Sequence, residues 1–112
     1  MTMGQPYNPR MHLIVESKRD AVADLCRRLG VKRLEVFGSA AREDFDVARS
    51  DIDFLVEFDE AADDTPLQSF FGLKDALEQL FGRSVDLLMP AAVHNPYIQA
   101  SIDRSRQLVY GA

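Results

Sequence analysis

Residues 38–53 read GSAAREDFDVARSDID and continue into the apolar run IDFLV at 52–56. Asp51 and Asp53 stand at the start of that run, where burying two acids is costly unless a cation or hydrogen bonds hold them. The Gly38-Ser39 turn supplies backbone N–H groups and a hydroxyl, which suit phosphate oxygens. Together these features predict a site for a metal-bound nucleoside triphosphate.

Strands are predicted on both sides of this stretch. Residues 33–37 form a short β segment that leads into the Gly-Ser turn, and residues 51–58 alternate in polarity. Side chains two apart on a strand project from the same face, so Asp51 and Asp53 share a face, with Cα atoms roughly 6.5–7 Å apart. The apolar side chains on the opposite face are Ile52, Phe54, Val56 and Phe58.

The spacing of the carboxylates suits a metal site. Asp51 and Asp53 can converge on one Mg²⁺, or clamp two ions about 3.5–4 Å apart. Magnesium prefers a few carboxylates together with water and substrate phosphates. Asp86 lies in a third predicted strand, 84–88, and if the two strands are neighbours it can complete a three-carboxylate cluster. Each acid alone is more simply a solvated or capping residue, but the combination with the upstream Gly-Ser turn favours the functional interpretation.

Three helices are predicted from apolar spacing and end signals. Residues 16–29 form the first, which stops before Gly30, a residue typical of helix ends. Residues 66–81 form the second, opened by a Thr65 capping box with proline at the first helical position. Asn95 caps the third, which runs to about residue 102. The stripe of the second helix predicted to pack in the core is Leu67, Phe70, Phe71, Leu77, Leu80 and Phe81.

The order of these elements predicts the fold class. With a terminal strand at 107–110, the chain is α+β, a small mixed β-sheet with helices packed on one side. Residues 1–10 carry two prolines and no apolar period, so we expect a flexible N-terminal arm. Residues 11–112 are then expected to form one domain, in keeping with the usual size of a single core.

Composition narrows the possible functions. The net charge of −5 lacks the footprint of a nucleic-acid-binding protein, so no direct nucleic acid binding is expected. Cys26 is the only cysteine, which excludes an internal disulfide and predicts a buried thiol in a reducing compartment. The chain has no apolar run long enough for a membrane span and no signal-peptide start, which predicts a cytoplasmic protein without membrane contact. Arg104 and Arg106 lie near the predicted end of the last helix, where basic side chains interact favourably with the helix dipole. They could instead contact an acidic partner.

The motif as a whole resembles a known signature. VFGSAAR at 36–42, followed by SDIDFLV at 50–56, resembles the signature of the DNA polymerase β-like nucleotidyltransferase superfamily. More narrowly, the chain resembles the minimal nucleotidyltransferases, the MNT antitoxins of HEPN–MNT toxin–antitoxin pairs. The likeness extends over nearly the whole chain and leaves out only residues 1–10. It implies a fold like the palm of polymerase β.

The resemblance also implies roles for single residues. Gly38 and Ser39 would bind the triphosphate of ATP, with Arg42 adding positive charge. Asp51 and Asp53 would hold the metal ions, which the resemblance implies are two Mg²⁺. Asp86 would be the third carboxylate, on the catalytic metal, and a candidate to take the proton from the attacking hydroxyl. The implied reaction is transfer of AMP to a tyrosine of a co-encoded HEPN toxin, which silences that toxin.

One departure and two alternatives accompany this interpretation. Glu43 stands where the family signature often has glycine, and its charge would weaken nucleotide binding if it pointed inward. A small-molecule nucleotidyltransferase, for example one that modifies an antibiotic, is the alternative enzyme, although 112 residues leave no room for a second domain to form an acceptor pocket. The other alternative is a non-catalytic antitoxin that neutralises a toxin by covering it.

Overall fold

A four-stranded mixed sheet forms the centre of the protein. The computed structural model describes residues 13–41, 51–59 and 66–111. The sheet order is β3-β2-β1-β4, in which β1 pairs antiparallel with both β2 and β4, and β2 pairs parallel with β3. The strands are β1 (Val31–Phe37), β2 (Ile52–Phe58), β3 (Val85–Leu88) and β4 (Gln107–Tyr110).

Helices connect the strands and cover the sheet. Helix α2 packs on β1 and β4, α3 packs on β3 and on α2, and α4 lies beside β1 and the 3-10 helix Gly38–Ala41. The predicted class, a mixed α+β sheet with helices packed on one side, is confirmed. The helices are α1 (Leu13–Glu16), α2 (Arg19–Arg28), α3 (Pro66–Phe81) and α4 (Pro96–Ser105), with a second 3-10 helix at Pro90–Ala92.

The alternation predicted for β2 sets the two faces of the sheet. Ile52, Phe54 and Val56 are fully buried in the main core, whereas Asp53 is only half-buried on the other face. Helix α2 contributes Cys26 to this core, and burial raises the pKa of its thiol to about 12. The predicted buried cysteine is therefore confirmed. The other face of β2 carries half-buried Asp53 and exposed Glu57, with buried Leu55 between them.

The first predicted helix, 16–29, corresponds to α2 (Arg19–Arg28), although the prediction starts it about three residues too early. A separate short helix, α1 (Leu13–Glu16), precedes it and was not predicted. The break falls at Ser17 and Lys18. The Ser17 hydroxyl donates to the Ile14 carbonyl, and the Lys18 N–H bonds the Val15 carbonyl three residues back at 3.1 Å. Serine side chains offer the backbone such alternatives to the helical pattern. The chain restarts as α2 at Arg19, and the buried residues Val22 and Cys26 of this helix are one turn apart.

The core stripe predicted for α3 is partly wrong. Leu67 and Phe71 are 66% and 57% exposed, while the buried line along the helix includes Leu73 and Leu77. The bounds of α3, and its end before Gly82, agree with the prediction, because Gly82 has a φ of 67° that suits glycine after a helix. The six-residue stripe therefore extends onto one exposed flank of the helix, since Leu67 and Phe71 are four residues apart, and it omits the buried Leu73.

Other predicted boundaries hold to within a few residues. Asn95 caps α4 by accepting a hydrogen bond from the Tyr97 N–H at 2.8 Å, and the helix extends to Ser105. The Thr65 cap and the residue 1–10 arm lie outside the described residues, and the single domain at 11–112 stays a prediction. Across the described ranges, none of the helices is long and apolar enough to cross a membrane.

Candidate active site

Two of the predicted site residues face each other across neighbouring strands. Asp53 in β2 and Asp86 in β3 are partners in register across the parallel pair. Neighbouring strands lie about 4.8 Å apart, so these two side chains leave the sheet side by side. Asp86 is exposed and Asp53 is half-buried, both on the face opposite the core. The structure thus brings together two acids that are far apart in the sequence.

The third acid lies at the entry to the same strand. Asp51 immediately precedes β2 and is exposed. In the part of the chain that the structure describes, no three Asp, Glu, His or Cys side chains come close enough to hold one metal ion. The three aspartates therefore do not form a preformed cage. Magnesium is usually bound by one or two carboxylates with water and substrate phosphates, so the paired oxygens of Asp53 and Asp86 fit that ion.

Gly38 packs directly against Asp53. Phe37 is the register partner of Asp53, and the chain turns immediately afterwards at Gly38, with a φ of 70°. A β-carbon at position 38 would overlap the Asp53 carboxylate, so no other residue fits here without moving it. The positive φ also favours glycine. The turn is therefore shaped around the carboxylate, which lies where a side chain at position 38 would be.

The backbone N–H of Gly38 has a partner within the chain. It donates to the Ser105 hydroxyl at 2.9 Å, and that hydroxyl donates to the Ser101 carbonyl at 3.0 Å. Ser105 is not predictable from the sequence, since a serine at the end of a helix gives no signal of a contact 67 residues away. Ser39 lies half-buried in the same 3-10 helix. Arg42 and Glu43, named in the sequence analysis, lie outside the described residues.

A second missed residue holds the start of β3. The Glu78 carboxylate of α3 accepts the Val85 N–H at 3.1 Å and an ammonium hydrogen bond from Lys74 at 2.9 Å. These bonds lower the pKa of Glu78, with Lys74 contributing most. Because Val85 directly precedes Asp86, Glu78 ties that strand end to α3. In the sequence, Lys74 and Glu78 are four residues apart and look like an ordinary exposed ion pair on a helix.

An ion pair fixes the junction between α4 and β4. The Arg106 guanidinium donates two hydrogen bonds to Glu35, at 3.0 and 2.6 Å, and a third to Asp103 at 2.9 Å. Glu35 is only 4% exposed, and its hydrogen bonds with Arg106 hold the pKa of its carboxyl below the usual value. The Glu35 carboxylate in turn raises the pKa of Arg106. Arg106 is the C-cap residue of α4, so it lies at a helix end, as one of the two possibilities proposed, and it pairs within the chain. Arg104 is exposed.

Paired acids on neighbouring strands beside a Gly-Ser turn define a class of enzymes acting on nucleoside triphosphates. Comparison with known families identifies that class, because the profile of the nucleotidyltransferase domain matches residues 18–109. The chain belongs to the nucleotidyltransferase domain family. The resemblance stated from the sequence is therefore confirmed, and so is the prediction that the protein is an enzyme of this type.

Relatives of known name agree with the family. A Methanocaldococcus jannaschii protein, provisionally named a protein adenylyltransferase, is 45% identical over 80 residues, which is 71% of this chain and 76% of that protein. The protein adenylyltransferase MntA of Thermococcus cleftensis is 35% identical over 91 residues, covering 78% of this chain and 81% of the relative. The similarity thus extends over most of each protein.

Solved structures share the fold. A provisionally named minimal nucleotidyltransferase superposes with a TM-score of 0.69 at 35% identity, covering 89% of this chain and 98% of that one. A complex of the tri-AMPylated HEPN toxin of Shewanella oneidensis with its MNT antitoxin contains a chain that matches with a TM-score of 0.60. That match has 16% identity and covers 88% of this chain and 73% of the other. At such identity it shows a shared fold alone.

Proposed function

We propose that this protein is an ATP- and Mg²⁺-dependent adenylyltransferase that modifies a hydroxyl of a partner HEPN toxin and so acts as its antitoxin. The observation that carries the proposal is the placement of Asp53 and Asp86 in register beside the Gly38 turn, in a chain of the nucleotidyltransferase family. The names of the relatives, protein adenylyltransferases, support AMP as the transferred group.

The aspartates have the metal-binding roles in this proposal. Asp51, Asp53 and Asp86 would hold two Mg²⁺ ions, since hard carboxylate oxygens match this cation. Bound Mg²⁺ supplies positive charge that offsets the negative charge on the phosphates. The half-buried position of Asp53, packed against Gly38, keeps its carboxylate in one place without the entropy cost of ordering it during the reaction.

The Gly-Ser turn and the following arginine have the nucleotide-binding roles. Gly38 and Ser39 face the triphosphate, and Arg42 adds a guanidinium, which matches phosphate geometry well. Gly38 contributes space beside Asp53, and Ser39 contributes a hydroxyl from the 3-10 helix Gly38–Ala41. The charge of Glu43, which replaces the usual glycine, weakens ATP binding only if it points toward the phosphates.

The reaction is an in-line displacement at phosphorus. The acceptor oxygen forms a bond to the α-phosphorus of ATP, the bond from that phosphorus to the bridging oxygen breaks, and pyrophosphate leaves with the electron pair. The proton of the acceptor hydroxyl passes to the Asp86 carboxylate. Such transfers depend on positioning and charge stabilisation more than on covalent catalysis by the protein, and exposed Asp86 is accessible to an acceptor from another molecule.

The proposed acceptor is a tyrosine of a co-encoded HEPN toxin, in the cytoplasm. The fold match to an MNT antitoxin in complex with an AMPylated HEPN toxin supports this choice of partner. The negative net charge supports a protein acceptor over a nucleic acid.

A transfer assay tests the proposal. The purified protein is incubated with its co-encoded neighbour, Mg²⁺ and ATP labelled on the α-phosphate, and the label on the neighbour is measured. We expect label on a tyrosine in the wild type and none with Asp53→Asn. Glu57→Gln is the matched control, because Glu57 is an exposed carboxylate at the far end of the same face of β2, and it should leave the label unchanged.

Other outcomes would replace the proposal. Label on a small hydroxylated molecule and none on the neighbour would identify a small-molecule nucleotidyltransferase. Neutralisation of the toxin that survives Asp51→Ala/Asp53→Ala without any label would identify a non-catalytic antitoxin. Omitting Mg²⁺ should abolish the label, and label that persists in the presence of a strong chelator would overturn the metal requirement.

A further inference from the structure

We propose that Ser105 is a positioning residue of the nucleotide site, an inference that rests on the proposed function for its consequence in catalysis. Its hydroxyl holds the Gly38 turn in the conformation that accommodates the Asp53 carboxylate. Ser105 is not among the residues that the sequence indicated. It lies at the last position of α4, 67 residues from Gly38 in the chain.

The geometry at Ser105 satisfies the hydroxyl completely. Its oxygen accepts the Gly38 N–H at 2.9 Å, and its hydrogen is donated to the Ser101 carbonyl at 3.0 Å. A hydroxyl can donate one bond while it accepts another, so both bonds form together. Ser105 is 4% exposed, so water does not compete readily for either partner. The bond to Ser101 fixes the rotamer that presents the oxygen to Gly38.

The contact matters because Gly38 is subject to two constraints. Its N–H is held by Ser105, and a β-carbon in place of its hydrogen would overlap the Asp53 carboxylate. Its φ of 70° belongs to a region that glycine enters freely but also leaves freely. Without the Ser105 bond, this conformation of the turn is less favoured over the alternatives. The position of Gly38 relative to the Asp53 carboxylate then becomes variable.

Because of this hydrogen bond, Gly38 and the residues that follow it have different roles in the proposed site. The Gly38 N–H is committed to Ser105, so it is not the donor that the triphosphate uses. Gly38 then contributes shape, and the phosphate donors come from the residues that follow it. Ser105 accordingly acts on ATP through the turn, without touching the nucleotide, which is why it is a positioning residue.

The end of α4 is anchored independently of this hydroxyl. The next residue, Arg106, makes two hydrogen bonds to Glu35 of β1, at 3.0 and 2.6 Å. Removing the Ser105 hydroxyl therefore leaves α4 attached to the sheet, and the change stays local to the Gly38 turn. The chain offers a matched control in Ser101, one helical turn away, which enters this network through its backbone carbonyl.

The test compares Ser105→Ala, Ser105→Thr and the control Ser101→Ala in the full chain. Hydrogen exchange of the Gly38 amide is followed by NMR without nucleotide, and the KM for ATP is measured in the transfer assay. In Ser105→Ala we expect Gly38 exchange to quicken and KM to rise, each by about fivefold or more, the factor for one hydrogen bond of about 1 kcal/mol. Ser105→Thr should restore both values, and Ser101→Ala should change neither.

Several results would overturn the proposal. It fails if Gly38 exchange in Ser105→Ala equals that of the wild type, or if exchange quickens equally throughout α4 and β1, which would show general loosening. It also fails if Gly38 exchange quickens but KM for ATP stays constant. Absence of any AMP transfer by the wild type refutes the proposed function instead, and calorimetric MgATP binding by the same variants then takes the place of KM.

Discussion

The Asp53 carboxylate occupies the space that a side chain at position 38 would need, so Gly38 and Asp53 fit together as a pair. A backbone turn and a candidate metal ligand therefore share one small volume. Neither residue can change its size or conformation without affecting the other. The site therefore requires glycine at position 38 as well as aspartate at position 53.

Gly38→Ala should disable the site. The new β-carbon displaces the Asp53 carboxylate, and a φ of 70° costs a residue other than glycine about 1–3 kcal/mol. We expect the free energy of unfolding to fall by about that amount, and AMP transfer to be lost, as measured by urea denaturation and by the labelling assay.

The matched control is Gly72→Ala. Gly72 lies within α3, and nothing stands within 4 Å of a β-carbon added there. Alanine in a helix interior is favoured over glycine by about 0.5–1 kcal/mol, so this variant should be slightly more stable and fully active. A Gly38→Ala variant as stable and as active as Gly72→Ala would contradict the packing described for Asp53.

Asp86→Asn should lower activity without affecting stability. The amide can neither take a proton nor bind a cation as a carboxylate does, and loss of a general base costs about 10²–10⁴-fold in rate. Asp86 is exposed, so the melting temperature should stay unchanged. The control is Asp75→Asn, an exposed acid of α3 that accepts a hydrogen bond from Gln79. Equal kcat values for the two variants would show that Asp86 does not take part in the reaction.

Arg106→Met should destabilise the fold. Among the residues that the structure describes, it leaves the Glu35 carboxylate, which is 4% exposed, with Arg33 at 3.5 Å as its remaining ion-pair partner. Hydrogen bonds to charged groups contribute about 1.5–3 kcal/mol, and we expect a loss of that size in the free energy of unfolding. Arg104→Met, at an exposed position of the same helix, should change it by less than about 0.5 kcal/mol. Similar losses in both variants would argue against a specific role for the ion pair.

The same pair predicts how stability depends on pH. Hydrogen bonds with Arg106 lower the pKa of Glu35 from its ordinary value of 4.5 in the folded protein. Its contribution is therefore complete above about pH 4.5, the unfolded value, and is lost as pH falls through the lower, folded pKa. Glu78, whose pKa is also lowered, adds a change of the same sign.

Urea denaturation of the wild type and Glu35→Gln between pH 7 and pH 3 measures this effect. The stability difference between the two proteins should be greatest at neutral pH and should shrink below about pH 4.5. A difference that stays constant over the whole range would mean that the ionised form of Glu35 contributes nothing.

The strands and the acids on them could be predicted because local patterns specify them. The alternation through 52–58 places Asp53 opposite the core residues Ile52 and Phe54, as the structure shows. The apolar spacing of α3 predicted its length correctly but included Leu67 and Phe71, which are exposed. Helical spacing identifies a broad apolar sector, and only packing against the sheet decides which part of it is buried.

The supporting contacts could not be predicted, since each joins two different elements and depends on how those elements pack. Ser105 and Gly38 meet only because α4 returns to the end of β1, and Glu78 meets Val85 only once α3 packs beside β3. A serine or a glutamate on a helix surface has no local signature for such a contact. The sequence therefore predicts the ligands of the site better than the residues that hold them in place.

The parallel pairing of β2 with β3 has a consequence for how the enzyme becomes active. Parallel neighbours require a long crossover, here the one that contains α3, before Asp53 and Asp86 can lie side by side. Antiparallel β1 and β2 can pair earlier, but they carry only part of the acid set. A chain in which β3 has not yet paired with β2 thus lacks the side-by-side placement of Asp53 and Asp86 on which the candidate site depends.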